Sequence, residues 1–217
     1  MKYFKLFEDF ITEAVNKKTL LGRGQEQSAY EYPEDPNYVL KVYDRSAYRT
    51  RTAEQAVDKL VQLSNQYPDI VADVKRISSN EYLQQKLDIK KLDRDIIAEC
   101  IKVWNELAKD YEAVLKSSSK STVAQYIKTR VEYGMFESGK PSPVKNEAQL
   151  EDVFDDMTFY SNYVLFLVDS YVYDNYTNKS ALVKKLKPIL DNDELNGDPH
   201  NSNMGYDKRG NIKILDI

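Results

Sequence analysis

The sequence predicts an α+β fold in two parts, a five-stranded sheet with one helix followed by a mainly helical region that ends in a β-hairpin. Three observations carry this. Residues 20–87 alternate short β-branched and aromatic runs with turns rich in Gly, Pro, Asn and Ser. Residues 96–190 set apolar side chains mainly at helical spacing. Residues 204–215 return to two short strands, Met204-Gly205-Tyr206 and Ile212-Lys213-Ile214-Leu215, around the turn Asp207–Asn211.

In chain order, Leu20–Tyr32 reads as strand, glycine turn and strand, with Gly22 and Gly24 in the turn. Pro33–Asn37 is a second turn, and Tyr38–Tyr43 is a third strand. Ala47–Asn65 is a helix, because Ala53, Ala56, Val57, Leu60, Val61 and Ser64 share one face and no Gly or Pro intervenes before Pro68. Ile70–Ile77 and Tyr82–Leu87 alternate as a strand pair around Ser78–Glu81 and bring the strands to five. The helical part opens with the stripe Ile96, Ile97, Cys100, Ile101, Trp104, Leu107 and Tyr111. A second helix follows from Ser121, Ser138–Pro143 is a loop, and a long helix is expected over Glu147–Tyr173. A shorter helix covers Lys179–Leu190, with Pro188 near its end.

The residues after that helix carry the chemistry. Asp198 and Asn203 meet the pattern D-x-x-x-x-N, and Asp216 stands thirteen residues after Asn203, beyond the predicted hairpin. Phosphoryl transfer asks a protein for one carboxylate to orient the nucleophile, and for another carboxylate with an amide to hold Mg²⁺ against the phosphates. A hairpin over 204–215 swings Asp216 back beside Asn203.

At Gly197-Asp198, His200 and Asn203 the chain resembles the protein-kinase-like superfamily, and within it the aminoglycoside and choline phosphotransferase branch, whose loop reads roughly H-G-D-x-H-x-x-N. Asn196 replaces the first His of that pattern. The resemblance implies a bilobal protein-kinase-like fold: a five-stranded N-lobe with one helix, and a mainly helical C-lobe ending in the catalytic-loop hairpin. It implies Asp198 as catalytic base or nucleophile orienter, and Asn203 and Asp216 as Mg²⁺ ligands. The N-terminal third fits the same family. Gly22 and Gly24 let the backbone approach phosphates, and Lys41 in the third strand can hold them as a point charge. Gln27 stands at the third glycine of the family's loop, which loosens the expected phosphate clamp. Glu54, bordering the apolar stripe of the helix, is the first candidate partner for Lys41, with Asp58 one turn on as the alternative. Leu87-Asp88-Ile89 falls where the family's hinge pairs with adenine through backbone groups, so Leu87 joins Gly22, Gly24 and Lys41 as a cofactor-binding residue, and ATP is implied by family habit. The roughly hundred residues from hinge to Asp198 match the inserted helices of small-molecule phosphotransferases.

These readings divide the chain into an amphipathic N-terminal segment (1–16), an N-lobe (17–88) and a C-lobe (89–217). The first segment places Phe4, Phe7, Phe10 and Ile11 on one side. It resembles the capsid-targeting leader of internal head proteins in T-even-like tailed bacteriophages, with Ile11-Thr12-Glu13-Ala14 on the I-x-E pattern before a small residue. That resemblance implies cleavage after Glu13, packaging in the phage head and delivery to the host cytoplasm; the competing reading is a helix that packs on the N-lobe. The A-P-E motif and C-terminal helical subdomain of the kinases do not follow Asp216, so the acceptor site is left to the helical insert, to a partner or to none.

Composition narrows the classes further. A net charge of −4 argues against sequence-independent nucleic-acid binding. The longest apolar run, Tyr163–Val168, is too short to span a membrane. The single Cys100, on an apolar stripe, reads as a buried thiol that cannot form an intramolecular disulfide. His200 is the one histidine, read as a structural hydrogen-bonder, and no His/Cys cluster suggests zinc. Two function classes remain: a Mg-ATP phosphotransferase acting on a host protein or small molecule, and a pseudokinase that binds a host factor. Nucleotidyl transfer uses similar ligands and stays open beside them.

Overall fold

The computed structural model describes residues 19–24, 27–43, 52–136, 139–157, 162–169, 180–195 and 203–215. The N-terminal segment 1–16 and the site candidates Asp198, His200 and Asp216 lie outside them. The chain falls into two compact units divided between Lys86 and Leu87.

The first unit is an antiparallel sheet of β1 (Leu20–Arg23), β2 (Gln27–Glu31), β3 (Tyr38–Tyr43), β4 (Val74–Arg76) and β5 (Glu81–Gln85), ordered β1-β2-β3-β5-β4. The helix α1 (Ala53–Gln66) connects β3 to β4. Its start follows from the sequence T-x-x-Q: the Thr52 side chain accepts from Gln55 N–H while Gln55 reaches back to Thr52 N–H. Ala56, Val57 and Leu60 of α1 pack with Tyr43, Val74 and Tyr82 of the sheet. Ser64 on the same helix face donates its oxygen as acceptor to Val74 N–H at 3.0 Å, fixing the entry into β4. The strand expected over Ile70–Ile77 is shorter, Val74–Arg76, because Ile70 and Val71 N–H groups turn back to the Tyr67 carbonyl and cannot join the ladder.

The second unit begins with α2 (Ile89–Lys109), capped by Asp88 accepting from Lys91 N–H. It continues with α3 (Tyr111–Lys116) and α4 (Thr122–Glu132), the latter capped by Ser121. Leu92, Ile96, Cys100, Val103, Trp104 and Leu107 of α2 are fully buried. Trp104 Nε1–H donates to the Ser142 carbonyl at 2.9 Å, and the Asn105 amide pairs with both N–H and C=O of Val144, so the loop after α4 lies pinned along α2.

The long helix expected over Glu147–Tyr173 is replaced by two, α5 (Glu147–Asp156) and α6 (Tyr163–Asp169). Met157 N–H caps α5, and Asn162 Oδ1 accepts from Val164 N–H to start α6. Phe154 meets Tyr163 and Phe166 edge-on at 4.9 and 5.0 Å, so the aromatic residues that suggested one stripe pack α5 against α6 instead. Ser180 caps α7 (Ala181–Leu190), which carries Pro188 in its last turn. The unit closes with the hairpin β6 (Met204–Tyr206) and β7 (Ile212–Ile214). No helix among the described residues is long and apolar enough to cross a membrane.

Candidate functional site

In the first unit, Lys41 sits in the middle of β3, paired with Ala29 of β2 and Tyr82 of β5. Cross-strand partners point to one side of a sheet and alternate residues share a side, so Lys41 belongs to the face of Tyr43 and Tyr82, which is the face α1 covers. Lys41 is thereby placed on the helix-bearing face, as its proposed role requires.

Gly22 lies at a β-bulge in the β1–β2 pairing, and a Cβ there would meet nothing within 4 Å. Gly24 N–H donates to the Gln27 carbonyl at 2.8 Å, closing the turn. Gln27, which stands where the family has a glycine, does not leave its side chain in the turn. Its Oε1 accepts from the Tyr82 hydroxyl at 2.6 Å, so the amide is drawn onto the face that Lys41 shares.

Glu54 and Asp58 share a partner that the sequence reading overlooked. Arg76 of β4 donates Nη2–H to Glu54 at 2.8 Å and Nη1–H to Asp58. The two carboxylates are one helical turn apart, and the guanidinium fork spans that separation. The Glu54 bond comes first among the causes that raise the Arg76 pKa, with burial opposing it. The expected Lys41–Glu54 pair would therefore have to draw Glu54 from Arg76.

At the other end of this sheet a pocket of about 220 Å³ is lined by Leu21, Glu31, Tyr32, Pro33, Pro36, Tyr38, Val39 and Lys86. Prolines and tyrosines give it flat walls, and Glu31 and Lys86 put one charge of each sign on its rim. Tyr38 is held in place by Asp73, which accepts from its hydroxyl at 2.5 Å, and by Lys75, whose Nζ lies 4.0 Å from the ring centroid. Burial, then the Asp73 bond, raises the Tyr38 pKa. Lys86 is the residue before Leu87, the proposed hinge position.

In the second unit the hairpin determines the site. The pairing Met204↔Ile214, Gly205↔Lys213 and Tyr206↔Ile212 continues one step further, with Leu215 N–H donating to the Asn203 carbonyl at 2.7 Å. Asn203 and Leu215 thus face each other across the open end, and Asp216 is the next residue in the chain. The turn is set by Asp207, whose Oδ1 accepts from Arg209 and Asn211 N–H, and by Gly210 at φ 79°. Burial would raise the Asp207 pKa, but the bonds from Asn211 and Arg209 prevail and lower it.

Leu87 and its neighbours meet this hairpin directly. Asp88 N–H donates to the Tyr206 carbonyl at 2.8 Å, and Tyr206 N–H returns to the Asp88 carbonyl at 3.3 Å. Both backbone groups of Asp88 are consumed, which leaves Leu87 as the better backbone partner for a base. Tyr206 also bonds through its hydroxyl to Asp95, and the Lys91 ammonium lies 4.2 Å from its ring. Burial, then Asp95, pushes the Tyr206 pKa up to about 12. Sequence reasoning missed Arg76, Tyr206 and Asp95. Gly205, an isolated glycine inside a predicted strand, was the available signal for close backbone approach.

Among the described residues no three His, Cys, Asp or Glu side chains converge, and the carboxylates that the metal reading requires, Asp198 and Asp216, lie outside them. The Asn203 end of the hairpin fits a hard divalent cation in the chemistry of its donors, an amide with a carboxylate adjoining. No protein-family model matches the chain, and no curated protein sequence does. Among solved structures it is similar to the streptomycin–ATP–APH(2″)-IIa ternary complex, at 12% identity and a TM-score of 0.32, with 95% of this chain and 69% of that chain covered. At that TM-score the superposition is too loose to place a residue.

Proposed function

We propose that this chain is a Mg-ATP-dependent phosphotransferase of protein-kinase-like architecture. The observation that carries the reading is the Leu215 N–H bond to the Asn203 carbonyl, because it brings the two ends of the Asn203–Asp216 interval together. In this reading Gly22, Gly24 and Lys41 hold the phosphates, Leu87 meets the base, and Asn203 and Asp216 bind Mg²⁺. Asp198 orients the acceptor hydroxyl, and Glu54 places Lys41 once it leaves Arg76. Bound Mg-ATP supplies the transferable phosphoryl group and the charge that neutralises its oxygens. The acceptor is a host protein or small molecule of an infected bacterium, and the N-terminal segment directs packaging into the phage head, with release after Glu13.

A second reading has its own support. Arg76 engages the carboxylate that activation of Lys41 needs, and Gln27 replaces a phosphate-loop glycine. A pseudokinase that binds a host factor fits both features.

One experiment separates the two. The purified chain is incubated with Mg²⁺ and γ-labelled ATP, alone and with bacterial lysate, beside Asp198→Ala. Label transferred to an acceptor and lost in the variant establishes phosphotransfer. Nucleotide binding without transfer moves the function to a binding protein. Intact Met1 on the protein recovered from mature virions removes the packaging role.

A further inference from the structure

The contact of β6 with the start of α2 is closer than strand-on-helix packing usually allows. A Cβ on Gly205 would lie 2.7 Å from the Leu87 Cβ, 3.2 Å from Ile89 N and 3.3 Å from Asp88 C, so only glycine permits the approach. The next residue, Tyr206, makes the two-way backbone bridge with Asp88 and shares Lys91 and Asp95 with the first turns of α2, where Lys91 and Asp95 are themselves paired at 2.9 Å. From the far side of the hairpin, Lys185 of α7 donates to the Gly210 carbonyl at 2.6 Å and approaches the Tyr206 ring at 5.6 Å. Backbone, ring and turn are therefore each fixed by a different partner, within three residues of Asn203.

We propose that Gly205 and Tyr206 are positioning residues that lock the Asn203 hairpin onto Leu87–Ile89, so that a base held at Leu87 and a metal ion held at Asn203 bind cooperatively. The inference rests on the phosphotransferase reading, and the path it names is short. The base-facing segment and β6 are hydrogen-bonded neighbours, and the register of β6 against β7 sets where Asn203 and Leu215 meet. A shift of β6 along α2 would move Asn203 relative to the residue after Leu215 and open the metal site. Residues that orient ligands from behind act in this way, and their loss weakens metal binding without removing a ligand.

The test compares the full chain with Gly205→Ala, which pushes β6 off Leu87, and Tyr206→Phe, which removes only the hydroxyl bond to Asp95. Mg²⁺ is titrated in the presence of a non-hydrolysable ATP analogue by calorimetry, and the amide exchange of Tyr206 and Leu215 is measured without nucleotide. The lock predicts that half-saturating Mg²⁺ rises about tenfold in Gly205→Ala, the scale of an outer-shell loss, and less in Tyr206→Phe. Metal-free affinity for the analogue should be retained, and Leu215 exchange should quicken in both variants. Unchanged Mg²⁺ half-saturation with a folded Gly205→Ala overturns the proposal, as does unchanged Leu215 exchange in Tyr206→Phe. A wild-type chain that binds the analogue indifferently to Mg²⁺ counts against the metal reading itself. The exchange arm still decides the lock in that case.

Discussion

In the first unit, α1 is tied to β4 by Arg76, whose guanidinium reaches two carboxylates at the surface; in the second, the β6–β7 hairpin is tied to α2 by backbone bonds and a glycine–leucine contact. The side chains of Arg76, Glu54 and Asp58 are 36%, 58% and 56% exposed, so salt screens their attraction and each can exchange for water. Gly205 is buried, and its neighbours are backbone atoms and a Cβ that cannot move away singly. The junction bearing the proposed lysine partner is thus an exchangeable one, whereas the junction bearing the proposed metal ligand is set by packing. The difference suits a protein whose phosphate-holding residues rearrange around a metal site that does not.

The largest expected effect tests the fixed side. Asp216→Ala should abolish Mg²⁺-dependent nucleotide binding, because a hairpin held this firmly offers no neighbouring carboxylate to replace it. Calorimetry with and without Mg²⁺ measures this, and unchanged metal dependence would remove Asp216 as a ligand. The melting temperature without nucleotide should stay near that of wild type.

Next in size, Gly205→Ala should destabilise the chain by about 1–3 kcal/mol, the usual cost of forcing a methyl into a packed site. Denaturant unfolding reports it, and a variant as stable as wild type would mean that β6 can slide along α2. Arg76→Ala, read in the same assay, should cost less than Gly205→Ala. If it costs more, the two junctions have been ranked wrongly.

Arg76→Ala should also release Glu54 toward Lys41 and tighten nucleotide binding by about two- to fivefold, on the scale of one exposed ion pair. The gain should shrink in high salt and vanish in Arg76→Ala/Glu54→Gln. Lys41→Ala should lose activity without a matching loss of melting temperature. A collapse in stability would make Lys41 part of the fold rather than of phosphate binding.

The same contrast marks what the sequence could reveal. Sheet strands, the Thr52 cap and the Asp207–Asn211 turn are local, and their residue types determine them within a few positions. The hairpin was legible for the same reason, and with it the closure of Asn203 on Leu215. The break at Met157 was hidden because Val153, Phe154, Met157 and Val164 keep helical spacing across it, so periodicity alone cannot tell one helix from two that pack together. Partner choice was hidden as well. Glu54 borders the buried face of α1, but whether it meets Lys41 or Arg76 depends on how α1 lies on the sheet, and Arg76 is 22 residues away in the chain. Gly205 announced a close approach without naming Leu87 as the neighbour.

The smallest effect is the response of the fixed junction to pH. The Lys91 bond lowers the Asp95 pKa against the opposing effect of burial, with Tyr206 assisting. The Asp207 pKa is lowered by its turn bonds, against burial. A lowered carboxylate favours the folded state above its unfolded pKa of about 4, and that contribution is lost as pH falls through the lower folded value. Tyr206 runs the other way: its pKa is raised from 10.0 to about 12, so its contribution is complete below pH 10.0 and is lost as pH rises toward 12. The hairpin should therefore be tightest across the neutral range and loosen at both extremes. Amide exchange at Leu215, corrected for its intrinsic pH dependence, should show that plateau, and Tyr206→Phe should erase the alkaline limb while leaving the acid one. An alkaline limb that survives Tyr206→Phe would assign the loosening to another group and leave the hydroxyl–Asp95 bond without a share in holding the hairpin.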